Sequence, residues 1–123
     1  MSENGVLIID DECLIAEYVA TVLEEEGITV AGTAGSAAEA RAIFAERRPA
    51  ALICDIRLGP DDGIALAQEL RARRDVPVVF VSGFGDPAVM QRIEAMRPAG
   101  FLQKPLLPQH LVQAVREILA EAA

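Results

Sequence analysis

The feature that most constrains this chain is an alternation. Five short apolar runs, at residues 5–9, 29–33, 51–54, 77–81 and 99–102, are each followed by a segment whose apolar residues have helical spacing. Short Val/Ile/Leu-rich runs bounded by turn residues predict buried strands. Segments with apolar residues three and four apart predict helices that bury one face. Strands that alternate with helices across short connections predict a parallel sheet, because a parallel neighbour is reached only through a crossover. The expected fold class is therefore α/β: a doubly wound, five-stranded parallel sheet with helices on both faces. One domain spans residues 1–123, with no linker and no second domain expected.

Local signals place the helices. From Cys13 to Glu26, residues Leu14, Ile15, Tyr18, Val19, Val22 and Leu23 form one face that should be buried, and Gly27 suits the position just past the helix. Ser36 and Glu39 have capping-box spacing and open a helix to about Arg48, stopped by Pro49. A third helix runs from Gly63 to about Arg74, with Ile64, Ala67 and Leu70 inward. Asp86 and Pro87 read as the N-cap and first residue of a helix to about Met96. Pro108 starts the last helix, with Leu111, Val112, Val115, Ile118 and Leu119 inward. Asp61 and Asp62 read as solvated turn residues, and His110 as a surface residue.

Composition narrows the function. The chain is 52% hydrophobic with one Tyr, four Phe and no Trp, so its core is aliphatic. A net charge of −8 argues against direct nucleic-acid binding, which needs a basic face. No apolar run approaches the roughly 20 residues that span a bilayer, and Met1–Gly5 lacks the basic start and apolar stretch of a signal peptide. Cys13 and Cys54 lie in or beside apolar segments and read as buried reduced thiols of a cytoplasmic protein. The lone histidine, His110, lies in a different segment from either cysteine, which speaks against a zinc site. Ten of the eleven basic residues are arginine, and the one lysine is Lys104, just before Pro105.

Parallel strands share a carboxyl edge, and open α/β sheets bind their ligands there. The first strand delivers Asp10 and Asp11 to that edge, the third Asp55, the fourth Ser82, and the fifth leads to Lys104. Three carboxylates close together repel, and without a cation at least one pKa must rise. A hard divalent ion with oxygen ligands such as Mg²⁺ removes the conflict. It would also polarise an incoming phosphoryl group, which Asp55 can attack as a carboxylate nucleophile. Lys104 would pair with the phosphoryl oxygens and Ser82 would donate a hydrogen bond to one of them. Taken alone, Asp10 and Asp11 also read as acids favoured by a helix dipole, and Ser82-Gly83 as a simple turn.

With these residues in place, the chain resembles a response-regulator receiver domain over essentially its whole length. Val6–Glu12 resembles the family's first-strand motif, and Asp55–Gly63 the stretch around its phospho-acceptor. Ser82 falls at the switch Ser/Thr position and Lys104-Pro105 at the family's Lys-Pro, usually a cis peptide. The resemblance implies a flavodoxin-like (βα)5 fold with strand order 2-1-3-4-5. It implies Mg²⁺ held by Asp10, Asp11, Asp55 and the main-chain carbonyl of Arg57. It further implies phosphotransfer to Asp55 from a sensor histidine kinase or a histidine phosphotransfer protein. Catalysis is then limited to the domain's own phosphotransfer and slow autodephosphorylation. Phe101 falls at the switch aromatic position, and residues 86–119 would form the face for an unknown downstream partner.

Two features set the chain apart within that family. It ends after the fifth helix, so a stand-alone receiver is expected, with its output in another protein. Ser82-Gly83-Phe84-Gly85 resembles the Thr-Gly-aromatic motif of a subgroup of stand-alone receivers. Two other classes compete. An aspartyl-phosphate phosphatase of the haloacid dehalogenase type needs an acid two residues after the nucleophile, where this chain has Arg57. A pseudo-receiver that binds partners without phosphorylation has no use for clustered carboxylates.

Overall fold

A computed structural model of the chain describes residues 4–83 and 87–122. β1 (Val6–Ile9), β3 (Ala51–Asp55) and β6 (Val78–Ser82) are buried at every position. Burial on both faces is what near-continuous apolar strands require. They form the centre of an all-parallel sheet ordered β2-β1-β3-β6-β7, with β2 (Val30–Ala34) and β7 (Gly100–Gln103) at the edges. β4 (Arg57–Leu58) and β5 (Asp61–Asp62) make a separate two-stranded antiparallel ribbon. Counting the main sheet alone, the order is 2-1-3-4-5, as expected.

Five helices cover the sheet: α1 (Cys13–Glu25), α2 (Ala37–Arg47), α3 (Gly63–Arg73), α4 (Pro87–Ala95) and α5 (Pro108–Ala122). Alternating strand residues divide the core into two layers. Leu7, Ile9, Leu52, Cys54 and Phe80 pack with Phe44 of α2, Leu70 of α3 and Ile93 of α4. Val6, Ile8, Ile53, Val79 and Val81 pack with Val19 and Leu23 of α1 and Leu111, Val115 and Ile118 of α5. The Lys104-Pro105 peptide is cis. Among the described residues, no helix is long and apolar enough to cross a membrane.

Several expectations need correcting. Leu14 is 81% exposed and Tyr18 40% exposed, although their spacing places both on the face of the first helix expected to be buried. The buried stripe is Ala16, Val19 and Leu23; at about 100° per residue, Leu14 lies roughly 200° around from Ala16. Cys13, at the start of the same helix, is exposed, whereas Cys54 is buried as expected. The second strand begins one residue later than read, at Val30, and ends at Ala34. The capping box is present but shifted. Ser36 accepts from Glu39 N at 3.2 Å, while Glu39 Oε1 accepts from Gly35 N at 2.7 Å rather than from Ser36. Leu111, Val112, Val115 and Ile118 of α5 are buried, and His110 is exposed. The Asp86 cap lies outside the described residues.

Asp61 and Asp62 are more than solvated turn residues. Asp62 Oδ1 accepts from Ile64 N at 2.9 Å and Ala65 N at 3.2 Å, which makes it the N-cap of α3. Its other oxygen meets Arg92 of α4 at 2.6 Å. Asp61 Oδ2 accepts from Ala37 N, at the start of α2, at 3.2 Å. A cap is legible from local spacing; a partner 30 positions away is not.

Partial burial pushes the Asp62 carboxyl up, but the Arg92 hydrogen bond and the two α3 amides outweigh it and hold the pKa below the usual value. A lowered folded-state pKa means that the contribution is complete above the unfolded value and lost as pH falls from there through the folded-state value. Asp62→Ala should therefore cost about 1–2 kcal/mol at neutral pH, mostly through the lost cap, since exposed ion pairs contribute little. Urea unfolding from pH 7 down to pH 3 should show the difference from wild type shrinking below about pH 4.

Candidate functional site

The site is built from strand ends. Asp10 follows β1 and is fixed by its own amide, which donates to Ala34 O at 2.9 Å. Its carboxylate accepts the Glu12 amide at 2.9 Å. Asp55 ends β3, and its Oδ1 accepts from Arg57 N at 3.1 Å. Ser82 ends β6 and is buried; its carbonyl accepts from Lys104 N at 2.8 Å. That bond continues the β6–β7 ladder by one residue, so the lysine leaves the sheet directly beside Ser82.

The start of α3 lies against the end of β3. A Cβ added at Gly63 would sit 1.9 Å from Asp55 O, so no other residue fits there without moving the backbone of Asp55. The Cys54 thiol lies between the two segments, 3.4 Å from Asp55 O and 3.5 Å from Gly63 O. Burial first, and the nearby Asp55 charge second, push that thiol's pKa far up, so it stays protonated.

Carboxylate oxygens of Asp10, Asp11 and Asp55 all lie within 4.8 Å of one another. Asp10 and Asp55 are only 5% and 6% exposed, while Asp11 faces solvent. Lys104 Nζ stands 2.9 Å from Asp55 Oδ2, 3.5 Å from Asp10 Oδ2 and 3.6 Å from Glu12 Oε1. Burial alone would lower the lysine's pKa, but the hydrogen bond and charge of Asp55, then Asp10 and Glu12, outweigh it and raise it. Desolvation raises the Asp10 pKa, and Asp55 adds to the rise; the Glu12 amide and Lys104 offset only part of it. Asp11, Glu12, Asp55, Ser82 and Lys104 line a hollow of about 450 Å³ that also reaches Arg57 and Gly59. A larger hollow, about 950 Å³ between α1 and α5, is lined by Glu25, Glu26 and Glu117, but among the described residues the acids whose oxygens gather within 4.8 Å are those of Asp10, Asp11 and Asp55.

The expected site residues Asp10, Asp11, Asp55, Ser82, Arg57 and Lys104 therefore come to one edge. Phe101 is half-buried and pairs in register with Phe80 of β6, against the layer that holds α4. Phe84 and Gly85 lie outside the described residues. The sequence reading gave no role to Glu12, the third acid near Lys104, and treated Gly63 only as a turn and helix start. Glu12 could have been noticed as the acid that follows the Asp10-Asp11 pair; the contact of Gly63 with Asp55 has no local signal.

Comparison with known proteins agrees with this geometry. The chain belongs to the response regulator receiver domain family, which it matches over residues 6–116. It is 32% identical to the transcriptional regulatory protein PdtaR of Mycobacterium tuberculosis over 110 residues, 89% of this chain and 54% of that protein. It is 35% identical to the transcriptional regulatory protein AruR of Pseudomonas aeruginosa, over 93% of this chain and 48% of that protein. The chain thus spans about half the length of these curated relatives. Among solved structures, it superposes with a TM-score of 0.87 on the signal receiver domain of a modulated diguanylate cyclase from Desulfovibrio desulfuricans, at 30% identity, covering 96% of this chain and 94% of that one. The receiver domain of NtrX from Brucella abortus gives 0.83 at 32% identity, covering 94% and 98%.

The donor set fits a divalent cation. Three carboxylates, two of them withdrawn from water, face a single ammonium, and hard oxygen ligands in that number suit Mg²⁺. The raised pKa of Asp10 carries a sign. A carboxyl that holds its proton more tightly when folded favours the fold at low pH, and that contribution is lost as pH rises through the folded-state value. At neutral pH the ionised Asp10 works against the metal-free fold. Asp10→Asn should raise metal-free stability in urea at pH 7. Added Mg²⁺ should stabilise the wild type, by about 2.7 kcal/mol at a hundredfold excess over its Kd, and leave the variant nearly unmoved.

Proposed function

We propose that this receiver accepts a phosphoryl group on Asp55 from a sensor histidine kinase or a histidine phosphotransfer protein. The observation that carries the reading is the Asp10–Asp11–Asp55 cluster with Lys104 bonded to Asp55. Asp10, Asp11, Asp55 and the main-chain carbonyl of Arg57 would hold Mg²⁺, which supplies positive charge for the phosphoryl oxygens. Asp55 attacks phosphorus through one carboxylate oxygen; the new P–O bond forms as the donor's N–P bond breaks, and the departing imidazole takes up a proton. The Arg57 amide orients the carboxylate through Oδ1. Lys104 exchanges its bond to Asp55 for one to the transferred group and offsets the added charge of about −1.5 to −2. Ser82 donates to a phosphoryl oxygen, with Phe101 following it as the second part of a switch. The face around residues 86–119 then changes its affinity for a downstream protein.

The domain acts as a signalling element rather than as a turnover enzyme, its chemistry confined to its own phosphorylation and dephosphorylation. Incubation with acetyl phosphate and Mg²⁺, read by intact-mass spectrometry, should add one phosphoryl group to the wild type and none to Asp55→Asn. EDTA should abolish the gain. Labelling of Asp55→Asn at the wild-type level would refute the assignment, and no labelling of the wild type by any donor would favour a phosphorylation-independent interaction module.

A further inference from the structure

Tyr18 is the one tyrosine of the chain, and its place in the fold is unusual. It lies on α1, 40% exposed on a wall of the groove between α1 and α5. A tyrosine there can leave its hydroxyl in water. Instead the hydroxyl donates to the main-chain carbonyl of Leu106 at 3.0 Å, 88 positions along the chain. Leu106 stands two residues after Lys104, in the four-residue connection that joins β7 to α5.

That connection has few ties. Lys104 N is bonded to Ser82 O, the Leu106 side chain is half-buried against the α1/α5 layer, and Leu107 O accepts from Leu111 N at the start of α5. The Tyr18 hydroxyl adds a directed hydrogen bond from α1 to the main chain at the middle of the connection, beside the side-chain packing of Leu106. A long lysine side chain reaches three carboxylates only if its backbone is held in one place, because its stem carries about 2 kcal/mol of rotamer entropy. We infer that Tyr18 is a positioning residue for Lys104. By fixing the Leu106 carbonyl, it holds the lysine-bearing connection so that the ammonium stays between Asp10 and Asp55, where a phosphoryl group would arrive. The inference rests on the function proposed above.

The variant that tests it is Tyr18→Phe, which keeps the ring and removes only the hydroxyl. Amide hydrogen exchange in the unmodified protein should speed up at Lys104, Leu106 and Leu107 and stay unchanged in α1. The rate of Asp55 labelling by acetyl phosphate should fall roughly three- to tenfold, the size of one net hydrogen bond. The Mg²⁺ dissociation constant should stay within about twofold, because the metal-binding acids sit on other strands. The decisive comparison places Tyr18→Phe in a Lys104→Ala background. A residue that acts through the lysine adds no further loss there, whereas one needed merely for helix packing does. Unchanged exchange at these three amides, an unchanged labelling rate, or an equal loss in both backgrounds would each overturn the inference. If the wild type takes no label from any donor, it is the phosphoryl-acceptor reading that fails; the exchange measurement still decides whether Tyr18 fixes the connection.

Discussion

Three carboxylates brought to one sheet edge, two of them withdrawn from water, set the terms for the rest of the structure. Two unit charges about 5 Å apart repel by on the order of 3 kcal/mol at the effective dielectric typical of such sites. That is a large fraction of the 5–15 kcal/mol that holds a domain together. Lys104 relieves part of it, through contacts to Asp55, Asp10 and Glu12. One ammonium cannot neutralise two buried acids and the two exposed ones beside them. Burial first, and the neighbouring Asp55 charge after it, keep the Asp10 pKa raised despite Lys104. A site left this way in the metal-free protein favours whatever brings positive charge to it, and it stabilises a second anion only if a cation comes too.

Holding such a cluster needs a rigid frame, and the frame is made of strand ends rather than loops. Asp10 and Asp55 leave neighbouring strands paired in continuous parallel register. Their alternating neighbours pack into both core layers, so neither aspartate can shift without moving buried Ile, Leu and Val side chains. Gly63 adds a further constraint from behind, since the first turn of α3 comes so close to Asp55 that a methyl group would collide with its carbonyl.

The sequence makes much of this legible, for a physical reason. Hydrophobic periodicity reports which faces are buried, and a parallel βα alternation puts every strand's carboxyl end on one edge whatever the strand order, so strand ends far apart in sequence share that edge. Asp10, Asp11, Asp55, Ser82 and Lys104 can therefore be grouped before any coordinates exist. What the sequence hides is whatever depends on the exact rotation or approach of an element. Leu14 and Tyr18 satisfy helical spacing yet face outward, because apolar residues on α1 cover more than the stripe that meets the sheet. The Asp62–Arg92 pair, the Tyr18–Leu106 bond and the tight seat of Gly63 join segments with no shared local pattern.

Those hidden contacts bear on how the site could speak to the rest of the domain. α3 buries five of its eleven residues, whereas α4 buries Ile93 of its nine. Besides Ile93 and the half-buried Val89 and Met90, α4 is tied by polar contacts: Arg92 reaches Asp62, and Arg71 of α3 donates to Met96 O at 2.7 Å, just past the end of α4. Exposed pairs of this kind contribute well under the several kcal/mol of a buried aliphatic side chain. α4 thus buries fewer residues than α3, and it lies within the proposed partner face. The contacts also form an unbroken physical path. Asp55 touches Gly63, Gly63 begins the helix that Asp62 caps, and Asp62 holds Arg92 on α4. Contiguity of this sort is a route, not a measured coupling. It does mean that a change in the backbone at Asp55 meets the first turn of α3 first and, through Asp62 and Arg92, α4 second.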